Sequence, residues 1–551
     1  MNTSIFFIMR RIRTQTYNYN NKVKKKREFR LKAGLILIII LGAVLRFTGL
    51  NWDEGQHLHP DERYISLVLT AVSLPSASPF DTQYSSYIYG QLPLTAIKYL
   101  SVKLGFDSYD RAYILGRTIS AILDTASILL VFILGRRLFN LRSGLFGALV
   151  YASIPLAIQD SHFMTMESWQ TFFWLITILV MLPKKYFQLD WRRQIAGGIL
   201  LGMALATKAN SIYLAGLLLI WGGIISLPVS VLAFRFFQPT IFSSTSWLDW
   251  GLRPEFRRAF EFQQEAINGT VMFPPQWQWM ETTPVIFLIK NLGLWGLGPV
   301  ISILLVIGIV VSGYMAIKKR DVRLISLLLF IMAVIGYNGI KFVKTMRYAV
   351  PLLGILAVFA GFGADWLIKK LKIAGRILTA GLFLIVMVWA IMFTSIYRNP
   401  QTRVTASKWI YSNIPAGSKI MLEEWDDPLP LLLSDYTINQ YKTEMVGAYA
   451  PDDELKKKQI NRWLNDFDWI VLSSSRAKGS IGRLPKQFPL MSRFYRDLEN
   501  GSLGFMKTAE FTSFPSLKIK NLKLKIDDSS AEESFWVYDH PKVEIYKKLA
   551  R

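Results

Sequence analysis

The residues Asn51-Trp52-Asp53-Glu54-Gly55-Gln56-His57-Leu58-His59-Pro60-Asp61-Glu62-Arg63-Tyr64 hold two Asp-Glu pairs and two of the chain's four histidines. Carboxylates of this kind can take a proton from an acceptor hydroxyl. A second polar cluster, Gln159 to Trp169, contributes His162 and Glu167. Cations come later. Lys208 and Asn210 are the strongly polar residues of an apolar stretch that runs to Arg235, and Lys341, Lys344 and Arg347 share one short turn. Arg holds phosphate as a bidentate fork and Lys as a point charge. A carboxylate base beside a cationic phosphate clamp is what transfer of a sugar from a lipid phosphate requires: the base activates the acceptor and the clamp stabilises the departing phosphate.

These residues must be positioned by membrane helices. Hydrophobic residues make up 52% of the 551 residues and aromatics 14%, and the charges gather between apolar runs of spanning length. The expected spans are Ala33–Leu45, Ala112–Leu134, Ser143–Ile158, Trp169–Leu182, three short and partly broken crossings within 195–237, then Leu297–Ile317, Leu324–Ile340, Tyr348–Ile368 and Ile377–Phe393. Tyr87–Leu104, broken by Gly90 and Pro93, reads as a helix lying at the interface, and Ser73–Ser86 as loop. Basic turns at 136–142, 184–193, 318–320 and 369–372 mark the cytoplasmic side, as does a basic tail over 1–32. By parity both acidic clusters, Lys208 and Arg347 then meet at one extracytoplasmic rim. Acids beside a bilayer are costly unless they reach water and serve a purpose. Lys341, Lys344 and Arg347 also fall on the side where positive charge is depleted, which suits a phosphate ligand; lysine snorkelling to headgroups is the plainer alternative.

The net charge of +25 follows this topology and gives no reason to expect nucleic acid. The chain has no cysteine, which excludes disulfides, thiol nucleophiles and cysteine metal sites. The first apolar run lacks a small-residue cleavage site and reads as an uncleaved anchor. Gln238–Pro284 is an aromatic loop, either an interfacial belt or a surface for sugar or acyl chains. Within it, Asn268-Gly269-Thr270 matches a glycosylation acceptor pattern. The expected domains are a cytoplasmic tail (1–32), a transmembrane catalytic part (33–394) and a small extracytoplasmic α/β domain (395–551). The last has a helix over Pro451–Asn465 and strands at Trp469–Leu472, Phe535–Tyr538 and Val543–Tyr546.

Four motifs, in order, carry a resemblance: His59-Pro60-Asp61-Glu62-Arg63-Tyr64 after a first span, Ser161 to Glu167, Ala206-Thr207-Lys208, and Arg347-Tyr348-Ala349-Val350-Pro351. From about Leu45 to Pro351 the chain resembles the lipid-phosphate-dependent glycosyltransferases of the GT-C fold. It is most similar to glycosyltransferase family 39, which includes protein O-mannosyltransferases and aminoarabinose transferases. The resemblance implies an α-helical polytopic membrane protein of GT-C type with about 9–11 transmembrane helices and a C-terminal extracytoplasmic α/β domain. It implies an inverting transfer with Asp61 as base and Glu62 and Glu167 as catalytic companions. Lys208, Arg347 and Tyr348 would hold the donor, with His59, His162 and Asp53 as further substrate-binding candidates.

The residues alone do not separate Asp53-Glu54 from Asp61-Glu62; the resemblance favours the second pair. No cofactor is assigned. A divalent metal ion near His59 and His162 is the open alternative to plain hydrogen bonding. Where the aminoarabinose branch has Lys-Pro-Pro, this chain reads Gly90-Gln91-Leu92-Pro93. The expected partners are a polyprenyl-phosphate-linked sugar and a lipid, glycan or protein acceptor, at the plasma (inner) membrane with the N-terminus cytoplasmic. A flippase or transporter, and a polymerase or ligase of lipid-linked glycans, are the competing readings. A transporter would place ionisable groups at midplane in repeated, broken helices, and no repeat is visible.

Overall fold

The structure, a computed structural model, describes residues 32–183, 190–437 and 440–549. The basic tail up to residue 31, Lys184 and Lys185 lie outside the described residues.

The apolar runs form helices close to their expected bounds. The first covers 32–47. Tyr109–Leu138, Pro299–Lys319 and Val322–Ile340 have 30, 21 and 19 residues and are apolar enough to cross a membrane. At 1.5 Å per residue even the shortest is about 28 Å long, close to the hydrocarbon thickness. Leu141–Ala152 and Pro155–Ser161 together pass the same test but bend by 59°. Pro155 opens the second piece, and a proline ring there cannot continue the preceding helix. Glu167–Met181 follows.

The stretch 195–237 holds three helices, Trp191–Leu205, Tyr213–Ile220 and Ser226–Phe237. Their lengths of 15, 8 and 12 residues give about 22, 12 and 18 Å, each short of the bilayer core. Leu353–Arg398 contains a break at Lys372, where φ is 53°. The chain doubles back there: a Cβ on Gly375 would lie 2.4 Å from the Leu367 carbonyl oxygen. The expected basic turn between two spans is this reversal. Small residues let the bundle close, since a Cβ on Gly361 would lie 2.2 Å from the Gly147 nitrogen, an approach only glycine permits.

The helix expected at the interface forms over Gln91–Leu104, starting after Gly90. Beyond the membrane part a mixed sheet has the order β2-β1-β3-β7-β4, from β1 Lys419–Glu423, β2 Lys442–Val446, β3 Trp469–Leu472, β4 Phe505–Phe511 and β7 Val543–Lys548. β1 pairs parallel with β2 and β3, while β7 runs antiparallel to β3 and β4. A separate hairpin joins β5 Ser516–Ile519 to β6 Leu522–Lys525. The helix Glu454–Asp466 matches the expected one.

The expected strand Phe535–Tyr538 is not one. Glu533–Phe535 is a 3-10 turn. Phe535 packs on Phe393 at 5.3 Å and Tyr538 on His59 at 4.4 Å. These side chains are spent on the membrane part, so the segment serves as a seam between the two parts and joins no ladder.

Candidate active site

Asp61 and Glu62 lie in the first turn of a helix, Pro60–Ala71, not in a loop. Pro60 opens it and the two acids complement its N-terminal dipole. Successive helical residues turn by about 100°, so the pair divides. Glu62 turns inward and is fully buried. It meets Arg117 at 2.9 Å and 2.7 Å and accepts from the Met164 amide at 2.5 Å. Asp53 meets the same guanidinium at 3.0 Å through both oxygens. Both acid pairs thus contribute one member to a buried clamp on Arg117.

Asp61 turns the other way, onto the wall of a cavity of about 590 Å³. There Arg347 Nη1 donates to Asp61. Arg347 also donates from Nε to Glu167 Oε1 and from Nη2 to Glu167 Oε2, the latter at 3.1 Å. Lys208 Nζ donates to Glu167 Oε1 at 2.5 Å. Four residues, one from each of the four motifs, thus form one continuous chain of charge: Asp61, Arg347, Glu167, Lys208. Burial pushes the Asp61 carboxyl up, but the Arg347 cation, His59 and the hydrogen bond from Arg347 together outweigh it and hold the group below its usual range.

Local structure explains how they meet. Lys208 follows the helix Trp191–Leu205, and the Leu92 amide donates to the Ala206 carbonyl at 3.2 Å, pinning the start of the interfacial helix to the Lys208 segment. A Cβ on Gly90 would lie 2.2 Å from the Thr207 oxygen, so the position tolerates only glycine. Arg347 stands in the 3-10 turn Met346–Leu352, capped by Thr345, whose hydroxyl accepts from the Arg347 amide at 3.2 Å. The Met346 amide donates to Glu532 Oε2 at 2.6 Å. A buried glutamate of the seam between the two parts therefore fixes the residue next to Arg347.

The cavity wall also includes His59, Tyr89, Asp160, Lys208, Asn210, Gln263, Gln264, Lys341, Tyr348, Ser534, Phe535 and Tyr538. Gln263 and Gln264 come from the helix Pro254–Asn268 of the aromatic loop, so that loop faces the site. Lys341 donates to Asn268 at 2.9 Å. Lys344 is buried and donates to the Phe342 carbonyl at 3.0 Å.

His59 is buried between Phe163 and Tyr538, and burial holds its pKa below the ordinary value, so it is neutral at neutral pH. His162 does not line the cavity. Its ring stacks on Tyr397 at 3.6 Å and its nitrogens face the Ile158 and Thr48 carbonyls at 2.7 Å and 2.9 Å. The expected substrate contact from His162 and Asp53 is thus replaced by packing and by the Arg117 clamp. Among the described residues no three His, Asp or Glu side chains converge as metal ligands, and Asp61 and Glu167 are already held by Arg347 and Lys208. The donor set does not fit a divalent ion, and no step is routed through one.

The motifs do not include Tyr89, which lines the cavity with Asp61, or Glu532 and Tyr538. A tyrosine in an interfacial stretch carries no motif. Tyr538 lies in the segment whose alternation resembles a strand, and Glu532 just before it.

Fold and site together define a polytopic α-helical membrane protein with a C-terminal sheet domain and a charged cavity at one rim. The sequence profile of a family described as dolichyl-phosphate-mannose-protein mannosyltransferase matches residues 109–237, which include Glu167 and Lys208. The chain resembles the GT-C glycosyltransferases, as its motifs indicate. No curated protein matches significantly by sequence.

Among solved structures it is similar to the Archaeoglobus fulgidus oligosaccharyltransferase in complex with zinc and sulfate, with 14% identity, TM-score 0.48, and coverage of 84% of this chain and 71% of that one. It is also similar to AglB of that organism in complex with an inhibitory peptide and a dolichol-phosphate, with 12% identity, TM-score 0.49 and coverages of 92% and 75%. A third is ArnT from Cupriavidus metallidurans bound to undecaprenyl phosphate, with 14% identity, TM-score 0.44 and coverages of 79% and 92%.

Proposed function

We propose that this protein is a membrane glycosyltransferase that moves a sugar from a polyprenyl-phosphate donor to an acceptor hydroxyl, with inversion, on the extracytoplasmic face of the plasma membrane. The observation that carries the reading is the bridge from Arg347 to both Asp61 and Glu167 on the cavity wall. Asp61 is the base. It takes the acceptor's proton as the hydroxyl oxygen attacks the anomeric carbon and the bond to the phosphate oxygen breaks. Arg347 and Lys208 hold the phosphate that leaves and stabilise its charge. Glu167 keeps both cations in place.

Without donor, Arg347 is engaged by Asp61. A donor phosphate competes for that guanidinium and frees the Asp61 carboxylate to act as base. Glu62 and Asp53 hold the helix that presents Asp61, and Tyr348 and His59 shape the wall. The family profile over 109–237 supports a lipid-phosphate donor, and dolichol-phosphate and undecaprenyl phosphate, named for two of the similar structures, are of that class. The test is a panel of polyprenyl-phosphate sugars with purified protein, scored for release of polyprenyl phosphate. Absence of release from every donor would contradict the reading.

A further inference from the structure

The β5–β6 hairpin has no role in the site. Its register opposes Leu517 to Leu524 and Ile519 to Leu522, and Ser516 to Lys525 and Lys518 to Lys523. Directly opposed residues share a face and alternate residues point the same way. Four aliphatic side chains therefore form one face, and three lysines with Ser516 form the other. Lys520 stands in the turn. The apolar face is open: Ile519 is 53% exposed and Leu522 59%.

Two strands alone are marginal in water, and this pair joins no other strand. Among the described residues none of the four lysines meets a carboxylate within 4.0 Å. Asp527, close to Lys525, is hydrogen-bonded by Ser529. The hairpin starts at the end of a membrane helix, where the Ser516 amide donates to Ser395 Oγ at 3.0 Å. That helix presents Leu384 and Ile385 on its outside, as a lipid-facing surface does.

We propose that the β5–β6 hairpin is a membrane-surface anchor that binds anionic lipid. Its aliphatic face enters the boundary between headgroups and acyl chains. Its lysines extend their stems to lipid phosphates at the level of the backbone. The C-terminal domain is thereby held against the bilayer at a point separate from the cavity. The occupant is lipid because the face is apolar, its rim is basic and, among the described residues, without an ion pair (Lys525 lies over the Phe514 ring), and it continues the surface of a spanning helix.

The chain has no cysteine, so L522C and, on the opposite face, K523C each carry one thiol for an environment-sensitive fluorophore. The full-length protein is reconstituted in phosphatidylcholine vesicles with or without phosphatidylglycerol. With phosphatidylglycerol, spin-labelled lipid removes most of the emission at 522 and little at 523. The quenching at 522 falls when Lys518, Lys520, Lys523 and Lys525 of the L522C protein are changed to Gln. It also falls at about 1 M salt, where the screening length is about 3 Å. A probe at 522 open to aqueous iodide overturns the proposal. So does one shielded from both iodide and lipid quencher, which would place a protein partner or second copy there. Quenching that ignores phosphatidylglycerol, salt and the lysine changes overturns the role of anionic headgroups.

Discussion

Arg347 donates to Asp61 across 286 positions of sequence, and this contact joins a helix N-terminus after the first span to a 3-10 turn before a late one. It sets the charge state of the proposed base and hides it from an acceptor until something else takes the guanidinium.

Asp61→Asn is therefore expected to remain folded and to lose transfer by at least about 100-fold, the usual weight of a positioned base. Turnover in vesicles, with thermal unfolding as the fold control, checks this. The Asp61 carboxyl lies below its usual range because Arg347 and His59 together outweigh burial. In the free enzyme the acid limb of kcat/KM then falls below about pH 4.

Arg347→Ala removes the main opposition to burial at Asp61, so the acid limb of kcat/KM moves upward. The same change raises the donor KM by about tenfold or more while the acceptor KM moves little, because a charge-assisted phosphate contact is lost. Initial rates over both substrates measure the split, and equal effects on both would argue against a phosphate clamp.

Glu532 acts on the site through the Met346 amide. Glu532→Ala is expected to raise the donor KM about tenfold, the weight of a hydrogen bond to a charged group, with the acceptor KM unchanged. Glu532→Gln still offers an acceptor oxygen to that amide and restores most of the affinity. A purely structural role would not produce this rescue on the donor side alone.

Arg117 is buried between Asp53 and Glu62. Arg117→Ala leaves two buried acids without their cation and is expected to cost about 3–5 kcal/mol of stability. Thermal melts of detergent-solubilised protein should show this loss, whereas Asp61→Asn should melt nearly as wild type does.

His540 lies between Asp539 and Asp528, at 2.5 Å and 3.0 Å. Burial alone would lower its pKa, but the two aspartates push it up to about 10. A folded-state pKa above the unfolded value of about 6.5 gives stability that is complete below pH 6.5 and lost as pH rises through 10. Melting temperature should therefore fall across that window, and His540→Gln should remove this part of the fall.

Much of this was legible in the sequence because membrane physics leaves few choices. Apolar length sets the spans, and Asp61, Glu167, Lys208 and Arg347 stand out because charge near a bilayer is expensive. What was not legible is direction. Asp61 and Glu62 are adjacent and chemically alike, and only the helical turn sends one to the cavity and the other to Arg117. His162 stands in the same cluster as Glu167 yet points at Tyr397. Glu532 and Tyr538 reach the site from nearly 200 residues beyond Arg347, through a seam whose local pattern mimics a strand, so tertiary packing overrode local propensity.

The central claim is that the Arg347-held Asp61 is the base of a transfer from a lipid-phosphate sugar. It is tested most directly by incubating reconstituted wild type and Asp61→Asn with the donor panel and measuring free polyprenyl phosphate. Release by wild type from at least one donor, and none above background from the variant, is the expected result. Equal release by both, or none by wild type from any donor, would contradict it.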